Sequence, residues 1–337
     1  MRLTIGEIAS MAGVSKATVS RVINHKPDVD PLTRQRILGL IDEYGFQPNA
    51  FAKAISLQKS HSIGLLIPHE AEYVFSNPFY TEVMRGVSTE VDRRGYYLVI
   101  CYAHEKNYLD IYHQKRVDGF VLLSPGSFHK AIIQSLDEGS VPFVSTAKIA
   151  DQENMAFVDV DNTLGAILVV EHLVSLGHEK IAYISKPTLQ SSQDRLAGYK
   201  IVMEKHNLPC CDRWMTTSET SSIQSGYNCT QKLLALDEIP TAIFLANDMM
   251  AIGAINAIQE KGLRVPEDVS VVGFDDVPQA SYLTPPLTTV RQPTFSKGVY
   301  AAGALIDWLE TSIKPSSHTL EVELIVRSST APPRIVP

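Results

Sequence analysis

The sequence predicts an all-α N-terminal head followed by a much larger α/β core built from two lobes. Three observations predict it. The chain has 337 residues, more than one hydrophobic core usually organises. Its charge is segregated: residues 1–60 carry eight lysines and arginines against five acids, whereas the whole chain stands at −7, so the remainder is strongly acidic. From Ile63 onward the pattern changes to short apolar strands alternating with amphipathic helical periods, as parallel sheets covered on both faces require.

The first helix is announced by Thr4 and Glu7, a capping box, and continues to Ala12 with Ile5, Ile8, Ala9 and Ala12 on one stripe. Gly13 supplies a tight turn. Ser15 caps a second helix running to about Asn24, with Val19, Val22 and Ile23 inward and Lys16, Ala17, Ser20 and Arg21 outward. Asp30-Pro31 opens a third helix that Gly45 ends, and Ile37, Leu38, Ile41 and Tyr44 are expected to complete a three-helix core. Helix, glycine turn, helix, third helix is the helix-turn-helix arrangement, whose second helix enters the major groove of DNA. A positive face suits such a role because neutralising phosphates releases their counterions.

Residues 48–61 read as a hinge: Pro48 and Asn49 precede a helix of two turns over Ala50 to Ile55, too short to be stable in isolation. The expected division is therefore head 1–47, hinge helix and linker 48–61, and core 62–337. Within the core, "IGLLIP", "YYLVICY", "GFVLLSP", "VPFVSTA", "AFVDVD", "KIAYIS", "TAIFLAN" and "VSVVGFDD" are strands, and helices are expected over 79–94, 163–176, 193–206 and 248–261. That is enough for two doubly wound, Rossmann-like units, with a ligand cleft between them at the carboxyl ends of the strands.

Several classes are disfavoured. The sequence has no G-x-G-x-x-G, P-loop, G-x-S-x-G or H-E-x-x-H pattern, so an enzyme is not expected. Cys101, Cys210, Cys211 and Cys229 lack metal-ligand spacing, the histidines are scattered, and His172 and His178 read as helix-end residues; neither metal nor cofactor is expected. No apolar run is long enough to span a bilayer, and the N-terminus lacks the apolar run of a secretion signal, so the expectation is a cytoplasmic, nucleoid-associated protein. The last residues, "APPRIVP", carry no heptad tail, which predicts a dimer in preference to a tetramer.

The pattern T-x-x-x-I-A-x-x-A-G-V-S-x-x-T-V-S-R-V-I-N over Thr4 to Asn24 is followed by "PNAFAKAI", "NPFY", "RVDGFVLL", "EHLVSLGHEKIAYI", "DRLAGY", "AIFLANDMMAIGA", "VPEDVSVVGFDD" and "PPLTTVRQP". In that order these segments resemble the lactose repressor/galactose repressor family of bacterial transcription regulators along nearly the whole chain. The resemblance implies a core like the periplasmic binding proteins, and a homodimer that represses genes of sugar transport or catabolism by binding a pseudo-palindromic operator in double-stranded DNA. Alternatives are a regulator needing a corepressor, either a phosphorylated or acidic sugar or a protein, and, more distantly, a periplasmic sugar-binding protein. The helix "SKGVYAAGALIDWL" is poor in the arginines that a docking face for a protein corepressor would carry.

The resemblance also implies residue roles. In the head, Lys16 and Ala17 begin the reading helix, Arg21 makes a second base contact, Thr18 and Ser20 contact the DNA backbone, and Thr4, Ser15 and Asn24 also bind DNA. Chemically, arginine grips guanine O6 and N7 in bidentate fashion, and alanine meets a thymine methyl. In the hinge, Asn49, Ala52 and Ile55 face the minor groove, Ile55 standing where the family usually places a leucine wedge. In the cleft, Asn77, Phe79 and Tyr80 come from one lobe and Arg195, Asn247, Asp275 and Gln292 from the other, a set of aromatic faces and hydroxyl-binding groups suited to a sugar. Three departures stand out. An Asp-Arg pair common at one strand end reads Ala147-Lys148; residues 69–75 look inserted; and the connection after the second strand is short. Lys148 beside the expected Arg195 raises the alternative of a negatively charged effector.

Overall fold

The structure is a computed structural model that describes residues 3–23, 26–46, 59–67, 70–102, 108–123, 130–149, 151–152 and 154–334. It divides into two units, Met1–Ser60 and His61–Pro337. Asn24, Asn49, Ala52 and Ile55 lie outside the described residues, as does the whole of the expected hinge helix over residues 50–55.

The first unit contains α1 (Ile5–Ala12), α2 (Lys16–Ile23) and α3 (Pro31–Glu43). Thr4 and Glu7 form a complete capping box on α1, and Gly13, at φ 65°, turns the chain in the left-handed region that glycine adopts without strain. Ser15 accepts the Thr18 amide at 3.1 Å and so starts α2. Asp30 receives the amides of Leu32 and Thr33 at the head of α3. Ile8, Ala9, Ala12, Val19, Val22 and Ile37 form the core, with Val29, Leu40, Ile41 and Phe46 packed against it. Leu38 and Tyr44 are exposed, contrary to expectation. Leu38 sits about 100° round the helix from Ile37, whereas Leu40 and Ile41 share its face at the three- and four-residue spacing; Tyr44 lies beyond the last turn, at the C-cap.

The second unit begins with β1 (Ser62–Ile67), α4 (Ala71–Ser76), α5 (Pro78–Arg93), β2 (Tyr97–Tyr102), α6 (Tyr108–His113), β3 (Gly119–Leu122), α7 (Lys130–Glu138), β4 (Phe143–Ser145) and β5 (Val158–Val160). It continues through α8 (Asn162–Ser175), β6 (Ile181–Ser185), α9 (Gln190–Lys205), β7 (Met215–Thr217), α10 (Ile223–Leu233), β8 (Ala242–Leu245), α11 (Asp248–Glu260), β9 (Ser270–Asp275), β10 (Thr288–Arg291), α12 (Thr294–Thr311), β11 (His318–Leu320) and β12 (Glu323–Ile325). One lobe carries a parallel sheet ordered β2-β1-β3-β4, continued by a bridge from Ser145 to Phe157 towards the pair β5-β11. The other carries β12-β10-β9-β8-β6-β7, parallel except for β12. The chain passes between lobes after β5, after β10 and after β11, because α12 returns to pack on α5 and the first sheet. Each sheet is covered on both faces by separate apolar clusters. The expected strands are therefore present, while β7, β10, β11 and β12, short or on a sheet edge, were not foreseen.

His178 is not a surface helix-end residue: it is buried, and its ring binds Thr241, Ser270 and the Ala331 carbonyl, stitching the C-terminal segment to the second lobe. Burial holds its pKa below the usual histidine value.

Candidate functional site

Strand ends of both lobes open onto one cleft enclosing about 710 Å³ of empty space, part of it open to solvent. All eight residues expected there line it: Asn77, Phe79, Tyr80, Lys148, Arg195, Asn247, Asp275 and Gln292. Asn77 caps α5, its Oδ1 accepting the Phe79 amide at 3.0 Å, which sets the Phe79 and Tyr80 rings edge to face at 5.2 Å. Asn247 caps α11 through Oδ1 and donates from Nδ2 to the Ser221 carbonyl, so its amide serves the loop geometry as well as the cleft wall.

Arg195, on α9, is buried and lies flat on Phe274, 3.5 Å from the ring centroid. Its Nε and Nη2 both donate to Asn162 Oδ1 at 2.9 and 2.8 Å, and Nη1 donates to the Ala246 carbonyl. Gln292 donates to Asp275 Oδ1 at 2.6 Å. Asp275 sits at φ 127° and Asp276 at φ 56°, two strained residues in succession at the carboxyl end of β9. Strain of this kind persists only where the surroundings hold it, and here Asp248 accepts the Val277 amide at 2.9 Å and the Thr289 hydroxyl at 2.6 Å. Burial pushes the Asp275 carboxyl up to about 6, the Arg195 cation opposing the rise. Burial and then the neighbouring Asp275 charge push Asp248 up to about 7.

Three further residues escaped sequence reasoning. Tyr73 enters from α4, inside the segment that looked inserted, and meets Tyr80 edge to face at 5.6 Å. Asp159, on β5, brings a carboxylate into the cleft where Ala147 lacks one; its Oδ2 accepts the Lys148 amide at 2.9 Å. Lys297, on α12, is 2% exposed and donates from Nζ to Asp159 Oδ1 at 2.9 Å and Gln292 Oε1 at 3.2 Å. The available signal was spacing, since Lys297 falls five residues after Gln292 on the apolar face of a helix. A lysine there reads as an interruption of the core until the tertiary structure shows its partner.

In the head, Lys16, Ala17 and Arg21 are exposed on one helix, and Thr18 and Ser20 are half-buried beside them. Thr4 and Ser15 serve the helix starts. Arg21 pairs with Asp28 at 3.5 Å, both more than half exposed, a contact worth about 0–1 kcal/mol and readily exchanged for another partner. Among the described residues there is no cluster of three metal-ligating side chains, and no helix is long and apolar enough to cross a membrane.

Residues 4–49 match the family described as bacterial regulatory proteins, lacI family, and residues 170–330 match the periplasmic binding protein-like domain. The chain is 34% identical to a probable HTH-type transcriptional repressor ExuR of Bacillus subtilis (strain 168), over 97% of this chain and 98% of that protein. Among solved structures, the complex of the transcriptional regulator CelR with cellobiose is 32% identical with a TM-score of 0.76, covering 97% of this chain and 100% of that one. The lac repressor dimer bound to operator and the anti-inducer ONPF is 28% identical with a TM-score of 0.82, over 98% of this chain and 100% of that one.

Proposed function

The chain belongs to the lacI family of bacterial regulatory proteins, and from that premise we propose how this member works: a homodimer represses genes of sugar uptake or breakdown by holding an operator, and a sugar-like effector in the cleft releases it. The observation that carries the reading is the pairing, in one chain, of a capped helix presenting Lys16, Ala17 and Arg21 with a cleft lined by Arg195, Asp275, Asn77 and three aromatic rings. Residues 1–47 act as the reading head, 48–61 as the hinge that orders on DNA, and 62–337 as the effector-binding and dimerising core. Thr18 and Ser20 contact the DNA backbone, Asn24 also binds DNA, and Asn49, Ala52 and Ile55 belong to the hinge that enters the minor groove. The protein acts without an enzymatic step and in the cytoplasm, where its operator is.

Closing the cleft on a ligand shifts the relative pose of the first lobes in the dimer, which sets whether the hinge helices can pair and fold on DNA. Sequencing of genomic fragments retained by the purified protein at physiological salt tests the reading. Pseudo-palindromic sites beside transport or catabolic genes are expected, and purely salt-sensitive, sequence-blind retention contradicts it.

Two outcomes follow. Arg21→Ala is expected to lower affinity for the operator by about 1–3 kcal/mol while leaving non-specific binding nearly unchanged. Competition binding against an operator with one altered base pair reads this, and an equal loss on both DNAs assigns Arg21 to the phosphates. Effector affinity is expected to fall, by up to roughly fourfold, between pH 7.5 and 5.5, because the ionised Asp275 carboxylate accepts hydroxyls more strongly than the acid does and its pKa is raised to about 6. The sign is fixed: acidification through that value protonates the acceptor. Calorimetric titration at the two pH values checks it, and tighter binding at pH 5.5 contradicts it.

A further inference from the structure

We infer that the effector is a sugar acid, a polyol bearing one carboxylate, which Lys297 and Lys148 receive at the first-lobe side of the cleft. The inference deepens the proposed function and rests on the cleft being the effector site.

Lys297 carries the argument. A lysine only 2% exposed, on a helix whose neighbouring inward residues are apolar, is costly unless its charge is used. Its pairing with Asp159 offsets the cost, but an apolar pair at these two positions would pack at least as stably. Two of the three ammonium hydrogens go to Asp159 and Gln292, leaving one, and the residue lines the cleft with Phe79 5.5 Å away. Lys148 lines the same cleft, and its exposed side chain has no hydrogen-bond or ion-pair partner among the described residues. Its backbone amide binds the same Asp159 carboxylate that holds Lys297.

Charge balance selects the ligand. Among the lining side chains Arg195, Lys148 and Lys297 stand against Asp159 and Asp275, which leaves Lys148 as the cation without a carboxylate partner, while burial raises the Asp248 carboxyl behind Asp275 towards its neutral form. A neutral sugar leaves that charge to solvent, whereas a single carboxylate answers it and uses the remaining Lys297 hydrogen as well. A phosphate ester, with close to two negative charges, overshoots. The ring of the ligand falls to Tyr73, Phe79 and Tyr80, and its hydroxyls to Asp275, Gln292 and Asn77.

The test uses the full chain at pH 7.5 and titrates hexuronates and aldonates of glucose and galactose, the two neutral hexoses, and their 6-phosphates. At least one acid is expected to bind ten- to hundredfold more tightly than its neutral parent, the size of one charge-assisted hydrogen bond. Lys297→Met is expected to abolish that ratio and to lower the melting temperature, because the buried Asp159 keeps the amides of Lys148 and Val160 but loses its cation. Lys148→Gln, at an exposed position, is expected to narrow the ratio with no change in melting temperature. The inference is overturned if a neutral hexose or a phosphate binds more tightly than every acid, if no acid binds, or if the ratio survives in both variants. Retention of operator DNA by the same preparations separates the two failures. DNA released by a neutral sugar sinks the sugar acid and keeps the regulator, whereas an acid that binds without releasing DNA sinks the proposed regulation and keeps the ligand.

Discussion

Arg195→Met is expected to yield a repressor that still holds its operator and no longer answers its effector. The guanidinium spans three structures at once: Asn162 at the start of α8, the Ala246 carbonyl at the end of β8, and the face of Phe274 on β9. It is also the cation that keeps Asp275 from rising further towards neutrality. Methionine fills much of the volume but supplies no donor, so the carboxylates of the cleft lose their compensating charge. Truncating one partner of a buried, hydrogen-bonded charge set costs about 2–5 kcal/mol in binding, so effector affinity is expected to fall by about a hundredfold or more. Stability of the core also falls, by an amount on the order of 3 kcal/mol, as buried charges left unpaired require. Calorimetric titration together with an operator-release assay measures both parts. A variant that binds effector within tenfold of the parent removes Arg195 from the site and leaves it a structural residue.

Gly253→Val is expected to abolish soluble, folded protein. Helices α10 and α11 cross at Gly226 and Gly253, and a Cβ added at Gly253 would lie 1.9 Å from the Ile223 carbonyl oxygen and 2.6 Å from the Tyr227 amide nitrogen. Both obstacles are backbone, so no side-chain rotamer relieves the contact and the helices must separate. Separation opens the apolar cluster of Met250, Ala254 and Ile258 beneath them, adding a cavity to the strain. The combined cost is on the order of 4–5 kcal/mol or more, against a total stability of about 5–15 kcal/mol. Soluble yield and the thermal midpoint of whatever is recovered read the effect. A variant melting within a few degrees of the parent shows that the two helices are not held as closely as described.

These two substitutions mark two kinds of information in the chain. Short-range physics was legible directly. Thr4 with Glu7, Gly13 and Asp30-Pro31 act within a few residues, so a linear reading placed the head's three helices, and the strands were visible because burial on both faces demands unbroken runs of Val, Ile and Leu. The eight cleft residues were legible only through the family's motifs, which encode a three-dimensional arrangement that composition and periodicity do not contain.

Misreadings arose where partners are distant in sequence. Leu38 and Tyr44 look apolar enough for the head's core, yet the faces presented by α1 and α2 select Leu40 and Ile41 instead. His178 looked like a helix-end residue until the C-terminal segment, some 150 residues later, came back to meet it. Lys297 and Asp159 are 138 residues apart and neither is informative alone. A lysine on an apolar helix face and an acid within a strand each count against the local pattern; they become a paired charge set only when α12 crosses back to the first lobe and lies beside β5. By itself the sequence determined the head's three helices, the eight apolar strands of the core and the family, because local propensity, apolar periodicity and motif order are properties of neighbouring residues. Only the tertiary structure decided which charges face one another in the cleft, because a buried ion pair is set by the crossing of distant elements and leaves no periodic trace along the chain.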